Sequence, residues 1–188
     1  MPVLRVHCNV PIDEFHMTDK TSQPWAPIDQ PASVLYAPGP MRLCLFEPDI
    51  PQNAASIIRL GACLGVPIDI VEPCGFLFSE AGFRRAGLDY VERADIVRHR
   101  SWDAFRASAQ GRLVLLTTKA ALPYTGFAFR SDDILILGRE SAGVPEPIHA
   151  AAEARLRVPL KAATRSINVA QAAAMVLGEA LRQTNGFP

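Results

Sequence analysis

The sequence predicts an α/β domain: a mostly parallel sheet with helices on both faces. Three observations lead there. Short, almost wholly apolar runs recur at Arg42–Phe46, Arg112–Thr117 and Ile134–Leu137, as strands buried on both faces require. Helix signals fall between such runs, which favours parallel crossovers over hairpins. The last segment, Ile167–Thr184, puts Val169, Ala173, Val176 and Ala180 on one helical stripe.

Taken in order, the elements begin at Met41. Arg42–Phe46 reads as a strand. Pro51–Gly65 reads as a helix, since proline suits a first helical turn and glycine a C-terminal cap. Ile68–Val71 is a second strand. Glu80–Ala86 is expected to be a short helix and Tyr90–Val97 a weak strand. Ser101–Ala109 is a helix with Ser101 as its N-cap. Two strongly apolar strands, Arg112–Thr117 and Ile134–Leu137, follow. Arg155–Pro159 is a short strand, and Ile167–Thr184 the final helix, for which Ser166 is the expected cap.

Residues 1–40 stand apart. They hold seven of the chain's 16 prolines and show no sustained periodicity. Proline at that density blocks regular helix and sheet, so 1–40 is expected to be an irregular extension and 41–188 the folded domain. Met41, directly ahead of the first strand, is a candidate natural start that N-terminal sequencing tests.

Composition bounds the function. The 188 residues carry 19 Lys+Arg against 19 Asp+Glu, and 49% are hydrophobic. That is one domain with a sizeable core, neither a disordered chain nor a strongly basic arm. Balanced net charge still permits RNA binding, because distribution matters more than the sum. The cations are 16 Arg against 3 Lys. Cys8, Cys44, Cys63 and Cys74 show no C-x-x-C spacing and no histidine close to a pair of them, so no metal site is expected; they read as small buried hydrophobes in a reducing cytoplasm. No apolar run is long enough for a membrane span, and the N-terminus lacks a secretory h-region.

Three loops beyond strand ends are candidates for chemistry, because ligands of open α/β sheets bind there. The first is Glu47-Pro-Asp-Ile-Pro-Gln-Asn53, with Arg59 six residues further along the helix. Asn53 can donate and accept hydrogen bonds, and Arg59 is a permanent cation. The second is Gly138-Arg-Glu-Ser-Ala-Gly143-Val-Pro145. Its glycines allow close backbone approach, but no Lys-Ser/Thr follows Gly143, which disfavours a nucleoside triphosphatase. The third runs from Arg155–Leu160 to Arg165-Ser-Ile-Asn168 at the start of the last helix. Arg84, Arg85, Arg93, Arg98, Arg100 and Arg106 add a cationic middle segment that reads most simply as a solvated, paired surface.

In order and content these segments resemble the SPOUT RNA methyltransferases, and within them the small tRNA (cytidine/uridine) 2′-O-methyltransferases that act at the wobble nucleotide. The resemblance runs through Glu47-Pro-x-Ile-Pro-x-Asn53, Ile57-Ile-Arg59-Leu, Glu72-Pro-x-Gly-Phe76, Arg84-Arg-Ala-Gly-Leu-Asp-Tyr90, Leu116-Thr-Thr-Lys119, Gly138-x-Glu140-x-x-Gly143-x-Pro145 and Arg165-Ser-x-Asn168. It covers Met41 to Gly186. It implies an α/β-knot, whose C-terminal segment threads a loop as a deep trefoil, in a cytoplasmic homodimer. It implies S-adenosylmethionine as methyl donor, held by Leu116, Gly138, Val158 and Ser166, and tRNA as substrate. The family's arginine, here Arg59, is commonly credited with activating the ribose hydroxyl. Arginine does not deprotonate in proteins, so stabilising a developing alkoxide and a neighbouring phosphate is the better role. Asn53, Glu140 and Asn168 would orient ribose and arginine.

The sequence departs from that pattern at Ala54-Ala55-Ser56, Ser141-Ala142 and Val169-Ala170-Gln171, where relatives usually carry Thr-Gly-Asn, Thr-Arg and Leu-Ser-Asn. Arg139 is expected to supply a displaced cation. These changes bear on the RNA substrate, leaving ribosomal RNA, another tRNA position or a noncatalytic RNA-binding role as alternatives.

Overall fold

The computed structural model describes residues 39–77 and 94–188. Among the described residues, twelve elements follow in chain order. They are β1 (Arg42–Phe46), α1 (Pro51–Leu64), β2 (Ile68–Val71), β3 (Ile96–His99), α2 (Trp102–Ser108), β4 (Arg112–Leu116), β5 (Leu122–Pro123), a 3₁₀ turn (Tyr124–Gly126), β6 (Asp133–Leu137), α3 (Glu146–Ala151), β7 (Ala154–Arg157) and α4 (Val169–Thr184). These seven strands form one sheet in the order β3-β2-β1-β6-β4-β7-β5, and each of their pairings is parallel.

Alternation along the central strands builds two cores. Leu43 and Leu45 of β1, with Leu135 and Leu137 of β6, pack beneath α1 and α4, where Ile57, Ile58, Ala173, Val176 and Leu177 meet them. Cys44 and Phe46, with Ile134 and Ile136, face the opposite way against Phe105 of α2 and Ile148 of α3. Neither face of the central strands reaches solvent, which is why they read as continuous apolar runs. Gly65 caps α1 at φ 66, a left-handed backbone that glycine adopts without steric cost. Ser101 caps α2 by accepting from Ala104 N–H at 3.2 Å.

Four sequence expectations need correction. Of the strand placed at Tyr90–Val97, residues 90–93 lie outside the described residues, and the described strand is Ile96–His99, the run that pairs with Ile68–Val71. The strand placed at Arg155–Pro159 is Ala154–Arg157, ending before Pro159, which has no N–H for the ladder. The final helix starts at Val169, not Ile167, because Asn168 and not Ser166 is its cap: Asn168 Oδ1 accepts from Ala170 N–H at 2.8 Å and Gln171 N–H at 3.4 Å. Cys63, read as a small buried hydrophobe, is exposed. The helix expected at Glu80–Ala86 and the Arg84–Tyr90 motif lie outside the described residues.

Two buried ion clusters hold strand ends. Asp69 on β2 accepts from Arg42 at 2.6 and 3.0 Å and lies 2.8 Å from His99 Nε2. Burial would raise its carboxyl, but the hydrogen bonds from His99 and Arg42 outweigh this and hold it below the ordinary carboxylate range. Asp133 takes both prongs of Arg112 at 2.7 and 2.9 Å, and that guanidinium stacks 4.6 Å above the Phe127 ring. Removing one member of a buried pair strands the other. Asp69→Ala is therefore expected to lower unfolding free energy by about 3–5 kcal/mol in urea titration. A change near zero would show that the cluster adds nothing to stability.

Candidate active site

β1 and β6 lie side by side, yet the chain leaves β1 toward β2 and leaves β6 toward β7. Their loops therefore diverge and open a crevice at the carboxyl ends of the strands, the usual ligand position in such sheets. A cavity of about 610 Å³ lies there, within the size range of small-molecule and cofactor sites.

The first, second and third candidate loops meet at this cavity through a chain of hydrogen bonds. Asn53, buried in the first turn of α1, donates from Nδ2 to Glu140 Oε1 at 2.9 Å. Asn53 Oδ1 accepts from Asn168 Nδ2 at 2.8 Å. Asn168 then uses its own Oδ1 to cap α4. Residues 115 positions apart are thus locked side chain to side chain, and each amide orientation is fixed by its partners. The Gly138–Gly143 turn is closed by Arg139 N–H to Gly143 O at 3.1 Å and Gly143 N–H to Arg139 O at 2.8 Å. A Cβ on Gly138 would stand 2.7 Å from the Gly143 carbonyl carbon, so only glycine fits.

Of the residues singled out in the sequence, Leu116, Gly138, Val158 and Ser166 all line this one cavity, with Asn53, Glu140 and Asn168 on its polar wall. Arg59 does not line it. Arg59 occupies the exposed face of α1, two-thirds of a turn round from Asn53 and about 9 Å further along the axis at 1.5 Å per residue.

Two residues that sequence reading missed hold the first two loops together. Asp49 Oδ1 accepts from Glu140 N–H at 3.2 Å, and Asp49 Oδ2 accepts from Ser141 N–H at 3.3 Å and from the Ser141 hydroxyl. In return Asp49 N–H donates to Glu140 Oε2 at 3.1 Å. Glu47, at φ 44, accepts from Arg139 through its carboxylate at 2.8 Å and its carbonyl at 3.4 Å. Arg139 is therefore a clamp on the end of β1. Acidic residues just past β1 were the available signal, but their partners lie about 90 positions downstream.

The two carboxylates titrate apart. The Glu140 side chain, the Ser141 hydroxyl and the two amides hold Asp49 down to about 2, against the pull of partial burial. Burial and then the Asp49 carboxylate push Glu140 up. Because the folded pKa of Asp49 is depressed, its contribution to stability is complete above its ordinary value of 3.8 and fades as pH falls toward about 2. Asp49→Asn is expected to lower the urea midpoint at about pH 5, with the gap to the parent chain closing below pH 3.8. A gap independent of pH would show that the Asp49 charge is not what holds the loop. Glu140 has the opposite sign: its protonated form is favoured by folding, so its contribution is lost as pH rises through its raised value.

A parallel α/β sheet with a glycine-built cavity at its switch point, walled by three interlocked loops, defines a class of small-ligand-binding α/β enzymes. The particular family follows from comparison: the profile of the SpoU rRNA Methylase family matches residues 40–178, and the chain belongs to that family. It is accordingly an RNA methyltransferase by class. Among its relatives, the tRNA (cytidine(34)-2′-O)-methyltransferase of Beijerinckia indica subsp. indica is 60% identical over 148 residues, covering 77% of this chain and 92% of the relative. The protein of the same description from Escherichia coli K12 is 39% identical over 151 residues, covering 79% and 96%. A solved structure presented as structural insights into the 2-OH methylation of C/U34 on tRNA superposes with TM-score 0.74 at 36% identity, covering 80% of this chain and 99% of that one. An AdoMet-bound rRNA methyltransferase from Sinorhizobium meliloti superposes with TM-score 0.70 at 25% identity, covering 80% and 59%.

Proposed function

We propose that this chain methylates the ribose 2′-oxygen of the wobble cytidine or uridine of tRNA, with S-adenosylmethionine as donor. The observation that carries the reading is the Glu140–Asn53–Asn168 chain, which joins three distant loops around one cavity. The relatives named for cytidine 34 methylation support the substrate.

The cavity fits the donor. Apolar Leu116, Leu156, Val158 and Ile167 suit a flat purine ring, Gly138 permits backbone approach, and the amide and carboxylate wall suits hydroxyl groups. S-adenosylmethionine, when bound, supplies a methyl carbon on a good leaving group. What falls to the protein is to place a weakly acidic hydroxyl and to stabilise the negative charge that grows on its oxygen. Arg59, on the exposed face of α1, serves the RNA side of this work. It stabilises the oxygen and holds the adjoining phosphate. Asn53, Glu140 and Asn168 hold the polar wall rigid, so that no group must reorganise during transfer.

The reading includes the knotted threading of the C-terminal segment, a cytoplasmic setting and a homodimer. Gln171, Ala174 and Met175 form an exposed strip on α4, with Met175 at 45% exposure. Mass spectrometry of tRNA nucleosides from a deletion strain tests the function: position 34 ribose methylation should vanish and return when purified protein and donor are added. Unchanged methylation in that strain would refute the assignment.

A further inference from the structure

The chain is formally neutral, but its cations are used unevenly. Arg42, Arg98, Arg112, Arg139 and Arg182 are committed to Asp69, Glu72, Asp133, Glu47 and Glu179. Lys119, Lys161 and Arg165 are exposed, and no described residue gives any of their side chains a hydrogen-bond or ion-pair partner. They comprise both lysines among the described residues.

These three cations share one rim. Lys119 lies in the turn after β4, where its N–H donates to Thr117 Oγ1 at 3.3 Å, and Thr117 and Thr118 line the cavity. Lys161 and Arg165 bracket the loop after β7, the strand beside β4, and Arg165 itself lines the cavity. Arg157 Nε donates to Ala121 O at 3.3 Å and ties the two loops together. A turn fixes the second loop, with Thr164 N–H and Oγ1 both donating to Lys161 O. The carboxylates at this end of the sheet do not neutralise the rim. Glu47 is engaged by Arg139, Asp49 by the Glu140–Ser141 backbone and Glu140 by Asn53. Among the described residues, Glu146, exposed at the start of α3, and Asp103, exposed in the first turn of α2 beyond the other edge of the sheet, are left to offset it.

We propose that Lys119, Lys161 and Arg165 form a phosphate-binding rim that lays the RNA strand flanking the target nucleotide across the cavity mouth. The inference rests on the RNA methyltransferase reading above and assigns the residues that grip the substrate backbone. Lysine is a hydrated point charge on a flexible stem and suits a sequence-independent phosphate contact that must release product. Arg106 and Arg130 are also exposed and unpartnered among the described residues. They sit on α2 and in the turn before β6, away from the cavity lining, and provide an internal control.

The test compares Lys119→Gln/Lys161→Gln, the same pair with Arg165→Gln, and Arg106→Gln/Arg130→Gln. Tritiated methyl transfer to purified tRNA gives KM and kcat, and tRNA affinity is followed against salt. Each lost phosphate contact lowers the slope of log affinity on log salt by about 0.7 for single strands, so the triple variant should lose about 2. Its tRNA KM should rise about tenfold or more at roughly 0.15 M salt, and in the double lysine variant, which leaves the cavity lining untouched, kcat at saturating tRNA should stay near the parent value. Donor affinity of the double lysine variant, by calorimetry, should not move. An unchanged slope and KM, an equal effect from the Arg106/Arg130 control, or weakened donor binding in the double variant would each overturn the rim. A parent chain that methylates no tRNA would instead overturn the reading beneath it.

Discussion

Arg59→Ala is expected to bind S-adenosylmethionine as the parent does and to lose methyl transfer. The split follows from where the side chain sits. Arg59 is absent from the cavity lining and lies on the exposed face of α1, so its removal leaves the donor's walls intact. Its proposed work is done only as charge grows on the ribose oxygen, and loss of one such donor lowers kcat by about 10²–10³. Arg59→Lys should recover part of that, because it restores the charge without the planar fork. Single-turnover assays alongside calorimetry measure the two halves separately. A parent-like rate for Arg59→Ala would remove Arg59 from the chemistry.

Gly138→Ala is expected to fail in the opposite way, losing the donor. The added carbon would stand 2.7 Å from Gly143 C, 2.9 Å from Val144 Cγ1 and 3.0 Å from Gly143 Cα. Two of those three atoms are backbone and cannot swing aside, and Gly143 holds φ 70, so the turn must open. Overpacking of this kind costs about 1–3 kcal/mol, which weakens donor binding roughly 5- to 150-fold at about 1.4 kcal/mol per tenfold. The Gly143 N–H to Arg139 O bond would break with it. Donor affinity equal to the parent's would show that this turn is not part of the donor site.

How much of this was legible beforehand depends on the range of the interactions involved. β1, β4 and β6 declared themselves because burial on both faces demands an almost unbroken apolar run. α1 declared itself because Pro51 and Gly65 act within one turn. β5 and α3 are two and six residues long, too short to carry a period. The cap of α4 was misplaced because Ser166 and Asn168 are both good caps locally. The choice between them falls to Asn53, which fixes the Asn168 amide from 115 residues away. The same holds at the site. Motif content found Asn53, Glu140 and Asn168, whereas the Asp49 and Glu47 contacts depend on which strands become neighbours. Arg139 shows the limit most clearly: it lines the cavity, as a cation beside a glycine turn suggested, while its tie to Glu47 comes from the sheet order.

The central claim is that loops from β1, β6 and β7 close on one donor molecule. A crystal structure of the protein grown with S-adenosylmethionine tests it most directly. The donor is expected in the 610 Å³ cavity, touching Leu116, Gly138, Val158 and Ser166, with the Glu140–Asn53–Asn168 chain intact beside it. A donor bound elsewhere on the chain, with that cavity left to solvent, would contradict it.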